Sequence, residues 1–123
     1  MENVGNICLK QEDFLKISSM LLAAPEEIRD LLQGELDRAS VLTDDILPEG
    51  LVAMHSNVEY LDLESGQKTE IKLVYPNEAS LAEHKISIFA PVGAALIGLK
   101  VGQRIAWPLP NGREKKIEVV RVT

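Results

Sequence analysis

Apolar residues recur every three to four positions along the first third of this chain and at every second position along much of the rest. The change of period falls at a turn-rich connector, Thr43 to Gly50. A helix presents one face per three to four residues and a strand one face per two, so the switch demands an α+β protein built in two stages. In the first stage Phe14, Ile17, Leu21 and Leu22 mark one helix, with Glu12 and Asp13 in its first turn, where carboxylates suit the positive end of the helix dipole. The pattern stops at Ala23-Ala24-Pro25. Pro25 reads as the first residue of a second helix, because its missing N–H costs nothing there. Glu26 and Glu27 follow, and Ile28, Leu31, Leu32, Leu36 and Ala39 make one apolar face. Two amphipathic helices with almost no loop between them predict a short antiparallel helical hairpin, an arm over residues 1–46. At 1.5 Å rise per residue it is about 20 Å long.

Residues 47–123 make the second stage. Leu51 to Met54 reads as a short strand, and Val58 to Leu63 with Glu70 to Tyr75 as a hairpin around Glu64-Ser65-Gly66-Gln67. Ala79 to Glu83 reads as a helical turn and Lys85 to Phe89 as a strand. Gln103 to Trp107 and Glu114 to Val122 follow as strands joined through Asn111-Gly112, a tight-turn signal. The expected architecture is an antiparallel sheet with one short helix inserted late. That helix lies in Ala90-Pro91-Val92-Gly93-Ala94-Ala95-Leu96-Ile97-Gly98, opened by proline and stopped by glycine. Nothing in it can do acid–base, nucleophilic or metal chemistry, which suits a docking element better than a catalytic one.

The remaining residues exclude most chemistry. Cys8 is the only cysteine, so no internal disulfide or cysteine-rich metal site forms, and a reducing, cytoplasmic home fits. No apolar run approaches the roughly 20 residues of a membrane helix. His55 and His84 are far apart with generic neighbours and read as surface histidines, so no metal and no cofactor is expected. The glycines at 93, 98 and 102 do not have the spacing of a phosphate loop. Aromatic residues are too few for a base-stacking surface. Charge is unevenly spread: 6 basic and 17 acidic side chains up to Glu83, then 7 basic and 2 acidic from His84 onward. Such a split suits two elements facing different parts of one large partner. The basic set Lys100, Arg104, Arg113, Lys115, Lys116 and Arg121 brackets the last two strands and reads first as a solvated face that discourages strand pairing. Glu26, Glu27 and Asp30 at the hairpin turn have two readings. They complement the helix dipole, or they hold a Mg²⁺ inside a partner's active site.

Two stretches, Leu32-Gln33-Gly34-Glu35-Leu36-Asp37-Arg38-Ala39 and Ala90 to Gly102, together with Leu73-Val74-Tyr75-Pro76, resemble the Rnk family of regulators of nucleoside diphosphate kinase. These are relatives of the transcript cleavage factors GreA and GreB, and the likeness runs from about Gln11 to Val122. It implies an FKBP-like C-terminal domain and a coiled-coil arm. It also implies docking at the rim of the secondary channel of bacterial RNA polymerase, with Ala90, Pro91, Val92, Gly93, Ala94 and Leu96 as the candidate contact residues. Gre factors carry a much longer arm whose acidic tip reaches the catalytic Mg²⁺. Here the arm is about 20 Å, so the expectation is a monomeric, non-enzymatic regulator that binds polymerase without stimulating cleavage and touches nucleic acid weakly or indirectly. The alternatives are an active cleavage factor working through Glu26 and Glu27, or a peptidyl-prolyl isomerase-like module with Trp107 beside its proline turn.

Overall fold

A computed structural model of the chain describes residues 2–3, 7–43, 48–108 and 112–123. The centre of the connector, with Asp44, Asp45 and the boundary between 46 and 47, lies outside the described residues, as does Asn111 of the last turn. The elements in order are β1 (Glu2–Asn3), β2 (Cys8–Lys10), α1 (Gln11–Met20), α2 (Glu26–Arg38), β3 (Ser40–Leu42), β4 (Asn57–Asp62), β5 (Lys68–Val74), β6 (Lys85–Ser87), α3 (Pro91–Leu96), β7 (Arg104–Pro108) and β8 (Glu114–Val122). The mixed α and β composition agrees with the change of period.

The helical pair forms where the pattern places it, with adjustments at its turn. α1 tightens into a 3-10 turn over Leu21–Ala23, and Ala24 and Pro25 are extended. Pro25 therefore stands just ahead of α2, which starts at Glu26. The pairing of the flanking residues had no sequence signal. β2 and β3 run parallel, Cys8 opposite Ser40 and Lys10 opposite Leu42, so the chain entering the hairpin lies beside the chain leaving it.

The six-stranded sheet has the order β1-β7-β8-β4-β5-β6. Five of its strands pair antiparallel, but β6 runs parallel to β5, with Lys72, Leu73 and Val74 opposite Lys85, Ile86 and Ser87. The expected all-antiparallel sheet is corrected here. Two 3-10 turns, Pro76–Glu78 and Leu81–Glu83, carry the chain back past β5, and His84 at φ 58° turns it into β6. A hairpin would need a direct reversal at Pro76, and proline starts a 3-10 turn there instead. The strand expected at Leu51 to Met54 is reduced to a single bridge between Leu51 and Lys100. β6 ends at Ser87, whose hydroxyl accepts the Phe89 N–H (2.9 Å) and whose carbonyl accepts the Ala90 N–H (2.9 Å).

Ile17, Leu21, Ile28, Leu32 and Leu36 of the helical pair belong to one apolar core with Val58, Leu73, Leu96, Leu99 and Ile117. α2 packs on α3, and α1 packs beside β2 and β3. The hairpin is therefore not a free-standing coiled coil. Its stripes serve the same core as the sheet, because helices this short bury too little between themselves to be stable alone.

Gly93 is the tightest point of that packing. A Cβ there would lie 2.2 Å from the Ser87 carbonyl oxygen and 3.2 Å from the Ile88 Cα. Gly93→Ala is expected to cost about 3 kcal/mol, the upper end of overpacking effects. At Gly34 a Cβ meets only the Arg38 Nη1, at 3.4 Å. Gly34→Ala is expected to add about 1 kcal/mol. Urea denaturation of the two variants checks both signs.

Candidate functional site

Three places draw together the residues with functional potential: the start of α3, the turn between α1 and α2, and a polar junction that joins α1 to the sheet. α3 begins at Pro91 after an extended Ala90, whose carbonyl accepts the Ala94 N–H at 2.9 Å. The proline fixes φ for the first turn and needs no acceptor. Pro91 is exposed, and Ala90 and Val92 are half-buried. Gly93, Ala94 and Leu96 are buried, so their expected place on a docking surface is corrected. They hold α3 against β6 and α2, and only Ala90, Pro91 and Val92 of the six reach the surface. Beside Ala90 runs a shallow groove of ≈ 240 Å³ lined by Ala79, Ser80, Leu81, Lys85, Ile86 and Ser87. Leu81 at its rim is 84 % exposed.

At the helical turn Glu26, Glu27 and Asp30 are all exposed, and Leu22 stands out beside them at 87 % exposure. Glu26 and Glu27 occupy the first turn of α2, where the dipole favours them. Among the described residues no three His, Cys, Asp or Glu side chains come together as a metal-holding group.

The junction was not legible in the sequence. Asp13 of α1 is buried, and its Oδ2 accepts the Met54 N–H at 3.1 Å. Burial pushes the Asp13 carboxyl above the usual aspartate range, and the Met54 N–H opposes this. Burial, followed by the nearby charges of Asp13 and Glu12, raises the Tyr75 phenol. The Lys16 ammonium sits 4.2 Å from the centre of the Tyr75 ring, and the His55 ring meets that ring edge-on at 5.7 Å. His55 Nε2 bonds Glu78 Oε1 at 2.8 Å, which holds the Glu78 carboxyl below its ordinary range. The same Oε1 accepts the Tyr75 N–H at 3.3 Å. His55 and His84 are both exposed, and both have positive φ. The junction contains no activated nucleophile, and its groups are tied to one another. It acts as a clasp between α1, the turn at Met54 and the turn at Glu78.

Much of the basic set is neutralised within the sheet. Arg104 pairs with Glu118 (2.6 Å), Lys115 with Asp62 (3.2 Å) and Arg121 with Glu70 (2.8 Å). Lys116 is exposed and Ile117 buried, as strand alternation requires. The Trp107 side chain and its proline turn lie outside the described residues.

Residues 47–123 match the family described as "Transcription elongation factor, GreA/GreB, C-term". Over 95 residues the chain is 40% identical to the "Regulator of nucleoside diphosphate kinase" of Escherichia coli strain K12, a match covering 77% of this chain and 70% of that one. It is 38% identical over 79 residues to the "Transcription elongation factor GreA" of Thermodesulfovibrio yellowstonii, covering 64% of this chain and 50% of the longer GreA. Among solved structures, a "Prokaryotic transcription elongation factor GreA/GreB from Nitrosomonas europaea" superposes with a TM-score of 0.78 at 35% identity, over 98% of this chain and 99% of that one. Gfh1 from Thermus aquaticus, at 22% identity and a TM-score of 0.54, shares the fold alone, over 97% of this chain and 99% of that one.

The clasp makes stability depend on pH at both ends. Tyr75 has a folded pKa above its ordinary 10.0, so its contribution is complete below about pH 10 and is lost as pH rises beyond it. Asp13 has a folded pKa above its ordinary 3.8, so its contribution is complete in acid and is lost as pH rises through the raised value. Thermal melts across pH are expected to show a smaller alkaline loss in Tyr75→Phe and, in Asp13→Asn, a smaller loss as pH rises out of the acid range.

Proposed function

Because the chain belongs to the GreA/GreB family of transcription elongation factors, we propose that it is a cytoplasmic transcription regulator. It binds bacterial RNA polymerase at the rim of the secondary channel and leaves RNA uncleaved. The start of α3 is the docking element. Pro91 presents a rigid apolar edge, with Ala90 and Val92 beside it, and a surface already fixed by proline loses little entropy on binding. The groove at Leu81 extends that edge.

The observation that carries the reading is the length of the hairpin. α1 has 10 residues and α2 has 13, which at 1.5 Å per residue is about 15 and 20 Å. Part of even this length is committed, because Asp13 holds the base of α1 against Met54 and the helical stripes lie in the shared core. Glu26 and Glu27 are thereby kept near the docking domain, far short of a metal deep in a channel. The protein would occupy the entrance and compete with longer factors for it. Neutralisation of Arg104, Lys115 and Arg121 within the sheet supports a contact with nucleic acid that is weak or indirect.

One observation favours a second reading, cleavage through the hairpin tip: Glu26, Glu27 and Asp30 are exposed together there. Two measurements separate the readings. Core RNA polymerase is expected to retain the protein at micromolar concentration. Pro91→Ala should weaken retention about two- to fivefold, the scale of an entropic loss at one rigid residue. Stalled, backtracked complexes are expected to show no added RNA cleavage. Cleavage that disappears in the Glu26→Ala, Glu27→Ala double variant establishes the second reading. Absence of polymerase binding removes both.

A further inference from the structure

We propose that the open edge of β5 is a binding site for an acidic peptide segment in extended conformation, taken up as an added strand. The proposal is independent of docking through α3.

β5 is only half covered. β6 pairs with Lys72, Leu73 and Val74, and Lys68 to Ile71 have β4 on one side and no strand on the other among the described residues. The direction of the backbone groups follows from the bonds that flank this stretch. The Lys72 N–H donates to the His84 carbonyl, toward β6, at 2.9 Å, and the Leu73 N–H donates to the Ser56 carbonyl, on the β4 side, at 3.0 Å. Successive residues of a strand point to opposite edges. Glu70 and Lys68 therefore turn their N–H and C=O groups outward, away from β4. Those groups are spaced as a ladder for one more short strand.

This edge opens onto a groove of ≈ 550 Å³ whose lining includes Lys68, Glu70, Ile71, Lys72 and Glu83. Charge selects what enters it. Ile71 and Leu73 are buried, so Lys68, Glu70 and Lys72 share the opposite, solvent face. Glu70 is neutralised by Arg121 (2.8 Å) and Glu83 by Lys85 (3.3 Å). No ion pair within 4.0 Å engages Lys68 or Lys72 among the described residues. An incoming strand that carries carboxylates on alternate residues sets them against these two ammonium groups while its backbone completes the ladder. A second copy of β5 is a poorer occupant: pairing centred on Glu70 sets Glu70 against Glu70 and Lys68 against Lys72. Edge lysines also guard against neutral or basic strands, so the same two residues reject and select.

The test uses the full chain and a short, capped, fluorescent peptide alternating Glu with Val and Thr, followed by anisotropy and amide hydrogen exchange. Binding is expected to weaken with added salt and to fall about tenfold in the Lys68→Glu, Lys72→Glu double variant, the scale of two surface charge contacts. Exchange at the Lys68 and Glu70 amides is expected to slow on binding, while that at Thr69 and Ile71, already paired with β4, stays unchanged. Glu70→Pro removes one outward N–H without touching the β4 ladder and is expected to weaken binding while leaving the thermal melt near that of the parent. Equal binding of a peptide with Lys in place of Glu, absence of binding at millimolar peptide, or the same exchange slowing produced by self-association alone would each overturn the proposal. Polymerase retention by the lysine double variant tests α3 docking separately.

Discussion

The helical hairpin and the sheet are joined by a short set of backbone hydrogen bonds around Gly98. Its carbonyl accepts the Cys8 N–H at 3.1 Å, and its own N–H donates to the Val52 carbonyl at 3.0 Å. The Val52 N–H returns to the Leu99 carbonyl at 2.8 Å. The strand before α1, the segment after the connector and the end of α3 therefore meet at one residue. Gly98 has φ +81°, and a Cβ there would lie 2.8 Å from the Ile7 Cβ, so conformation and space both demand glycine. The glycine that stops α3 is also what lets the amino-terminal strand approach. Asp13 adds a side-chain tie from α1 to the same segment by accepting the Met54 N–H.

What could be read from the sequence follows the range of the interactions. α1, α2, β4, β5, β7, β8 and α3 are encoded by local periodicity, a proline start or a glycine stop, and those signals work within a few residues. β2 and β3 escaped because each has only three residues, and their stability comes from one another across the whole hairpin. The parallel placement of β6 escaped because a run of alternating residues does not state the direction of its neighbour. The candidate site divides in the same way. The exposure of Pro91, Glu26 and Glu27 was legible from helix starts. The burial of Gly93, Ala94 and Leu96 depended on what packs over them, and an apolar stretch of sequence does not separate a surface from a seat. Asp13 looked like an ordinary dipole carboxylate, and its bond to Met54 joins residues with no shared local pattern.

Charge in this protein is largely managed in place. The sheet pairs Arg104 and Lys115 with carboxylates on neighbouring strands and Arg121 with Glu70 across β4, and the clasp pairs His55 with Glu78. Exposed ion pairs of this kind add little to stability. Among the charges that no ion pair within 4.0 Å engages in the described residues are Lys68 and Lys72 of β5 and the acidic start of α2.

The parallel pairing of β2 with β3 has a consequence for how this architecture varies. Both ends of the helical insert are fastened side by side at its root, with Ser40 donating its N–H to the Ile7 carbonyl at 3.0 Å. The far bend at Leu22 to Pro25 is exposed apart from Ala24 and takes no part in the sheet. Whole turns of helix added at that bend would lengthen the insert without disturbing its root. The root would be the same beneath a stub or a long probe, and the reach of such an insert would be set by its length alone.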